Sequence, residues 1–279
     1  MARLDVIDLI FKIAGLENAF DILEENFAEI AKDELSSSLL ECGIIPELLE
    51  HDSSEEKLWA KYCDILLAQT WTHLSIPSEV LRARGDSADV FGRTYNYSIV
   101  GDAKAFRLSR TAKNQKDFKV QALNDWRKSN TYACLVSPFY QYPQRTSQIY
   151  EQAIERNVTL LSYTHLKFLL DCTEGQNLDP LWRIGSELPK SKNAQQYWEA
   201  IDETTRKIAG ESDETLSNYK QETIDKIKQL GKEGIDYWKT RIAAYKQLSQ
   251  EEAVARLIKA EKIEAKIGTI KKAIDTVQS

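Results

Sequence analysis

The chain is poor in the residues that carry most redox, zinc and nucleophile chemistry: four cysteines and three histidines in 279 residues. Cys42, Cys63, Cys134 and Cys172 lie far apart with no C-x-x-C pair, which does not suit a disulfide scaffold in a chain this large and regular. His51, His73 and His165 each stand alone, so the close, repeated ligand spacings of a zinc site are missing. The same isolation leaves little basis for a Ser-His-Asp or Cys-His mechanism. No run of 18 apolar residues occurs, which argues against a membrane-spanning helix. The opening Met1-Ala2-Arg3-Leu4-Asp5 lacks the apolar stretch of a signal peptide, and the expectation is a cytoplasmic protein with no membrane partner.

What is present is a chain that is 42% apolar, enough for one substantial globular unit or two smaller ones. Its net charge of −6 speaks against a nucleic-acid partner only if the charge is spread evenly, and it is not. From Asp102 to Lys128 there are eight cations (Lys104, Arg107, Arg110, Lys113, Lys116, Lys119, Arg127, Lys128) against three acids. A basic window inside an acidic chain is most often a solvated helix face, but it is also the electrostatic footprint of a phosphate-binding surface.

Apolar residues at helical spacing run through Leu4–Ile13 and Phe20–Ile30, with Gly15 between them. A further helix is expected from Ser53-Ser54-Glu55-Glu56, where a serine N-cap precedes acids in the first turn, and it ends before Pro77. The pattern then changes. Asp89-Val90-Phe91 and Tyr95–Val100 read as two adjacent strands, a hairpin around Gly92. Asn114–Lys128 reads as a helix, Tyr132–Val136 as a buried strand, Ser147–Arg156 as a helix, Val158–Leu161 as a strand and His165–Leu170 as a helix. This alternation implies an α/β core with some parallel pairing. Three regions follow: a helical region over 1–76, the core over 77–178, and a helical region over 179–279. The apolar stripes of the last region suit packing on the core or on a second subunit.

The chemistry-bearing group is Asp102-Ala103-Lys104, at the end of the strand that starts at Tyr95. Residues two apart on a strand project to one face, so Asp102 and Lys104 go together while Gly101 and Ala103 face the other way. Asp89 opens the neighbouring strand, where a hairpin brings it beside Asp102. Two carboxylates suit a hard, oxygen-seeking cation such as Mg2+. A lysine beside them can orient and deprotonate a water, or offset charge on a phosphorane-like transition state. The plainer reading of an Asp-Lys pair on a strand is a modest surface salt bridge. Against it, this strand is otherwise apolar, where an unpaired charge is costly, and the basic window follows at once.

An acid followed by D-x-K at a strand end resembles the P-D…(D/E)-x-K nuclease pattern, with Ala88 in place of the proline. More narrowly, the run from Asp102 to Val120 is similar throughout to the HindIII-like family of type II restriction endonucleases. Looser similarity covers Arg84-Gly85, Asp89-Val90, Phe139–Pro143, Ser147-Gln148-Ile149, Glu56-Lys57-Leu58 and Tyr237-Trp238-Lys239. The resemblance implies a restriction-endonuclease-like α/β core, a mixed β-sheet flanked by helices, with helical N- and C-terminal regions. It also implies a Mg2+-dependent homodimer that cuts both strands of palindromic double-stranded DNA. The family's site is 5′-AAGCTT-3′, cut between the adenines to leave 5′ extensions. A cognate DNA methyltransferase would protect the host genome.

Carried over residue by residue, the resemblance makes Asp102 and Lys104 the D-x-K pair and Asp89 the first acid. Glu56 is either a further metal-shell acid or an acid at a helix N-terminus on the surface. For DNA contact, Asn114, Lys116, Asp117 and Lys119 offer the donors and acceptors that base edges require. Arg107, Arg110 and Lys113 add cations, of which the two arginines suit phosphates. Asp117 stands out, because a carboxylate at a phosphate-binding surface needs a base amine or a cation as partner. Two other functions fit the same fold: a repair or recombination nuclease that reads DNA structure, and a catalytically silent DNA-binding or helical interaction protein. The intact D-x-K and the readout segment disfavour both.

Overall fold

The computed structural model describes residues 2–82, 87–110, 115–268 and 270. Arg84-Gly85, Lys113 and Asn114 lie outside the described residues, as does the side chain of Lys116. The chain divides into two compact units, residues 1–231 and 232–279.

In the first unit, helices α1 (Arg3–Ile13), α2 (Ala19–Phe27) and α3 (Lys32–Leu39) precede the long α4 (Ser54–His73). The Ser53 hydroxyl accepts the Glu56 N–H, satisfying one of the free donors of the first turn of α4. The helix is buried almost all round, through Leu58, Trp59, Tyr62, Ile65, Leu66 and Trp71. It is therefore a central element rather than a surface one: α1, α2 and α3 pack against it, and so does the sheet.

That sheet has five strands among the described residues: β1 (Ser78–Val80), β2 (Val90–Arg93), β3 (Ser98–Ala103), β4 (Tyr132–Ser137) and β5 (Val158–Ser162), in the order β1-β2-β3-β4-β5. β1 with β2 and β2 with β3 are antiparallel, whereas β3 with β4 and β4 with β5 are parallel. The connections are α5 (Gln115–Phe118) and α6 (Val120–Arg127) between β3 and β4, and α7 (Gln148–Arg156) between β4 and β5. Strand–helix–strand crossovers are what parallel pairing requires. After β5 come α8 (Tyr163–Cys172), α9 (Asp179–Trp182), α10 (Ile184–Glu187) and α11 (Ala194–Ala209). This is the expected mixed sheet flanked by helices.

Gly101 sets the distance between helix and sheet. A methyl group on it would lie 2.6 Å from the ring of Trp71 and 3.0 Å from Leu67, both on α4. Only glycine permits so close an approach.

Three local expectations need correcting. β3 starts at Ser98, not Tyr95, because the Thr94 hydroxyl accepts the N–H groups of Asn96 and Tyr97 and makes a side-chain turn there. The single helix expected over 114–128 is two, broken at Lys119, whose φ of 47° is left-handed. The break lets Phe118 and Val120, on either side of it, both reach the core. Finally, β1 forms in a stretch where no element was expected, and α3 adds a helix, not individually expected, to the region read as helical.

The helix α12 (Asp213–Tyr245) includes the boundary at residue 231, and α13 (Gln250–Ala260) follows, capped by Ser249, whose hydroxyl accepts the Glu252 N–H. Within the first unit the apolar stripes of the last region are spent on the core: Tyr197, Ile201, Leu216 and Leu230 are buried. In the second unit Ile235, Trp238, Ile242, Leu257 and Ile267 are exposed. Among the described residues no helix is long and apolar enough to cross a membrane.

Candidate active site

Three elements meet at the end of β3. Val90 of β2 pairs with Gly101 of β3, and the Asp89 N–H donates to the Gly101 carbonyl at 3.1 Å. The hairpin register thus sets Asp89 beside Asp102. On the other side of β3 the parallel ladder runs one residue past the strand, with the Lys104 N–H donating to the Val136 carbonyl at 2.7 Å. The Tyr163 hydroxyl also donates to the Lys104 carbonyl, at 3.1 Å. The backbone on both sides of the D-x-K pair is therefore held by hydrogen bonds.

Asp102 is 1% exposed. Its Oδ2 makes no aligned hydrogen bond among the described residues, and its contact is the Lys104 ammonium at 2.5 Å. The two side chains do share one face. The third element is α4, which contributes an acid that sequence reasoning missed. Asp64 is buried, its Oδ1 accepts the Ala103 N–H at 3.4 Å, and its carboxylate lies within 4.8 Å of those of Asp89 and Asp102. The signal was available: Asp64 is the one acid inside the apolar stretch from Tyr62 to Ala68, where an uncompensated charge is expensive. Lys61, one turn earlier, donates to Asp89 Oδ1 at 2.6 Å and to Asp64 Oδ2 at 3.2 Å.

The electrostatics follow from three acids and two ammonium groups in a confined space. Burial pushes the Asp64 carboxyl up to about 8, the negative charges of Asp89 and Asp102 push the same way, and Lys61 offsets them in part. Burial alone would lower both lysines. The charge of Asp102 foremost raises Lys104, and those of Asp64 and Asp89 raise Lys61, so both stay protonated. Asp64 and Asp102 are buried, Asp89 is half-buried, and oxygens of all three lie within 4.8 Å of one another. Oxygen donors so grouped fit a hard divalent cation.

Glu56 does not join this group. Its Oε1 accepts from Arg107 Nε at 3.1 Å and Nη2 at 2.9 Å, and its Oε2 faces the Asp52 N–H at 2.7 Å and His51 Nδ1 at 3.0 Å. Burial would raise its pKa, but these donors outweigh burial and lower it. Arg107, expected to meet phosphate, is turned inward. It also donates to the Pro46 carbonyl at 3.1 Å and the Glu47 carbonyl at 3.4 Å, and its side chain is only 11% exposed. Asp117 has found a cation in Arg110, whose Nη2 lies 3.1 Å from its Oδ1. Lys119 stands over the ring of Trp126. Of the expected readout residues, then, the described ones are tied to one another or to the core.

Comparison with known proteins agrees with this geometry. The family model for the HindIII restriction endonuclease matches residues 12–274. The chain is 35% identical over 261 residues to the type II restriction enzyme HindIII of Haemophilus influenzae strain Rd, which covers 90% of this chain and 87% of that protein. A family match over nearly the whole length and a five-stranded mixed sheet flanked by helices point the same way: the chain belongs to the HindIII restriction endonuclease family and is a site-specific deoxyribonuclease.

Proposed function

We propose that the protein is a Mg2+-dependent type II restriction endonuclease that cuts both strands of 5′-AAGCTT-3′ after the first adenine, leaving 5′ extensions with 5′-phosphate ends. The observation that carries the reading is the contact of Lys104 with Asp102 beside the carboxylates of Asp64 and Asp89. Asp64, Asp89 and Asp102 would hold Mg2+, which when bound offsets charge on the phosphate and on the attacking oxygen. Lys104 sits where an ammonium can orient the attacking water and donate to the phosphorane-like transition state. Asp64 and Asp102 are buried, which limits the positions open to them and so the rearrangement that metal binding would require.

Glu56 and Arg107 take a different part: together they fix the course of the chain as it leaves β3, ahead of the segment from Arg110 to Lys119 that would read the bases. In that segment Arg110 and Asp117, already paired, would part or rotate to meet phosphate and base. Lys113, Asn114, Lys116 and Lys119 supply the remaining donors. A palindromic site calls for a second copy related by a two-fold axis, so the active form is a homodimer. A cognate methyltransferase and a cytoplasmic location follow from the same role. The core, residues 77–178, carries most of the chemistry, with Asp64 and Lys61 added from the helical region over 1–76.

The deciding experiment is digestion of a plasmid with one 5′-AAGCTT-3′ site, with Mg2+ and with chelator, followed by sequencing of the ends. One linear product with 5′-AGCT extensions, formed only with Mg2+, is expected. Discrete cuts elsewhere would overturn the specificity, and no cutting by folded dimer would overturn the activity.

A further inference from the structure

Lys61 has no place in the D-x-K chemistry, yet its ammonium lies between two of the three clustered acids. It is 2.6 Å from Asp89 Oδ1 and 3.2 Å from Asp64 Oδ2. Its side chain is 35% exposed, whereas that of Asp64 is 5% exposed. Its head thus faces the acids while part of the side chain stays in contact with water. We propose that Lys61 is a resident cation that occupies the place between Asp64 and Asp89 in the metal-free enzyme and competes with the divalent cation for those same oxygens. The inference rests on the reading of these acids as the metal site.

The two lysines of the cluster differ in how they are held. Lys104 is fixed by its backbone, between the Val136 carbonyl and the Tyr163 hydroxyl, and its ammonium faces Asp102. Lys61 projects from α4 one turn before Asp64 and spans from its own helix to the start of β2. A hard dication binds carboxylate oxygens at about 2.0–2.6 Å and repels an ammonium within a few ångströms of those oxygens. Both cannot occupy the place between Asp64 and Asp89. The flexible four-carbon stem of lysine lets the head swing to solvent with the backbone unmoved. Metal binding is then an exchange of cations. Before the metal arrives, Lys61 fills the place between Asp64 and Asp89; afterwards it stands at the rim as a free cation. The cost of displacing it lowers the enzyme's affinity for metal.

The test uses the full chain without DNA and Ca2+ as the probe. Lys61→Met and Lys61→Gln should bind Ca2+ at least about tenfold more tightly than wild type by calorimetry, since a like charge beside the dication is gone. In the wild-type protein, acetylation of Lys61 by an amine-reactive ester, read by peptide mass spectrometry, should rise severalfold when Ca2+ saturates the site. Unchanged or weaker Ca2+ affinity in both variants overturns the proposal. So does Lys61 acetylation that Ca2+ does not alter, and this second measurement decides even if the variants fold poorly. Wild type and variants that bind Ca2+ equally would remove Lys61 from the mechanism but leave the metal site standing. If none of them bind Ca2+, the metal reading itself fails.

Discussion

Glu56 and Asp64 lie two turns apart on α4 and do different work. Glu56 grips the guanidinium of Arg107 through one oxygen, at 2.9 and 3.1 Å, while Asp64 reaches the backbone between the two residues of the D-x-K pair. One helix thus anchors both the catalytic strand and the segment that leaves it.

The two acids are separable by mutation. Asp64→Asn should cut at least about 10²–10³-fold more slowly, the usual loss when one group that stabilises the transition state is removed. Glu56→Gln should keep its Ca2+ affinity and lose about 1–3 kcal/mol of stability, because a charged acceptor of the Arg107 guanidinium is weakened. Single-turnover cleavage, calorimetry and denaturant unfolding read these directly, and the reverse assignment would make Glu56 the metal ligand.

Lys104→Ala should retain specific DNA binding and lose cleavage by about 10²–10³-fold or more. Binding is measured by mobility shift with Ca2+, and cleavage with Mg2+. A variant that cuts at the wild-type rate would remove Lys104 from the chemistry.

Gly101→Ala should destabilise the fold by about 1–3 kcal/mol, since the added methyl would sit 2.6 Å from Trp71 and force α4 away from β3. The shift should be visible in thermal unfolding. It should be accompanied by slower cleavage, because Asp64 rides on the same helix. Gly15→Ala, with open space around it, is the control expected to show neither effect.

A part-buried polar network between α8, α11 and α12 predicts acid sensitivity. Asp202 of α11 accepts from His165 at 2.8 Å and is paired with Lys220. Burial would raise its pKa, but these two partners outweigh burial and hold it below the ordinary carboxylate value. A depressed carboxylate contributes stability that is present above its unfolded pKa and lost as pH falls through its folded pKa. Asp202→Asn should therefore flatten the fall in stability below about pH 4, measured as urea midpoints against pH. An unchanged acid limb would show that the network does not carry it.

Much of this was legible in the sequence because it depends on local pattern. The period of apolar residues marked α1, α2, α4, α7 and the strands β2, β4 and β5. Ser53 signalled the start of α4, and the alternation of strand and helix implied parallel pairing. The spacing within Asp102-Ala103-Lys104 put two side chains on one face, which is a property of any strand. Where local signals competed, the pattern failed: Thr94 turned the chain before β3 could begin, and Lys119 broke a helix so that both flanks could reach the core.

The sequence by itself determined the class of fold, the D-x-K pair and its family, because periodicity, residue spacing and a long similar run are all contained in the order of residues. Only tertiary structure decided which further groups meet that pair. Asp64 and Lys61 are about forty residues from Asp102 along the chain. They arrive at it because a glycine in β3 lets α4 lie against the sheet. Glu56 looked equally eligible by type and helix, but at its height on α4 its partners are Arg107, His51 and the Asp52 N–H rather than the acids. Residue type states what a side chain can do, and packing distance decides what it meets.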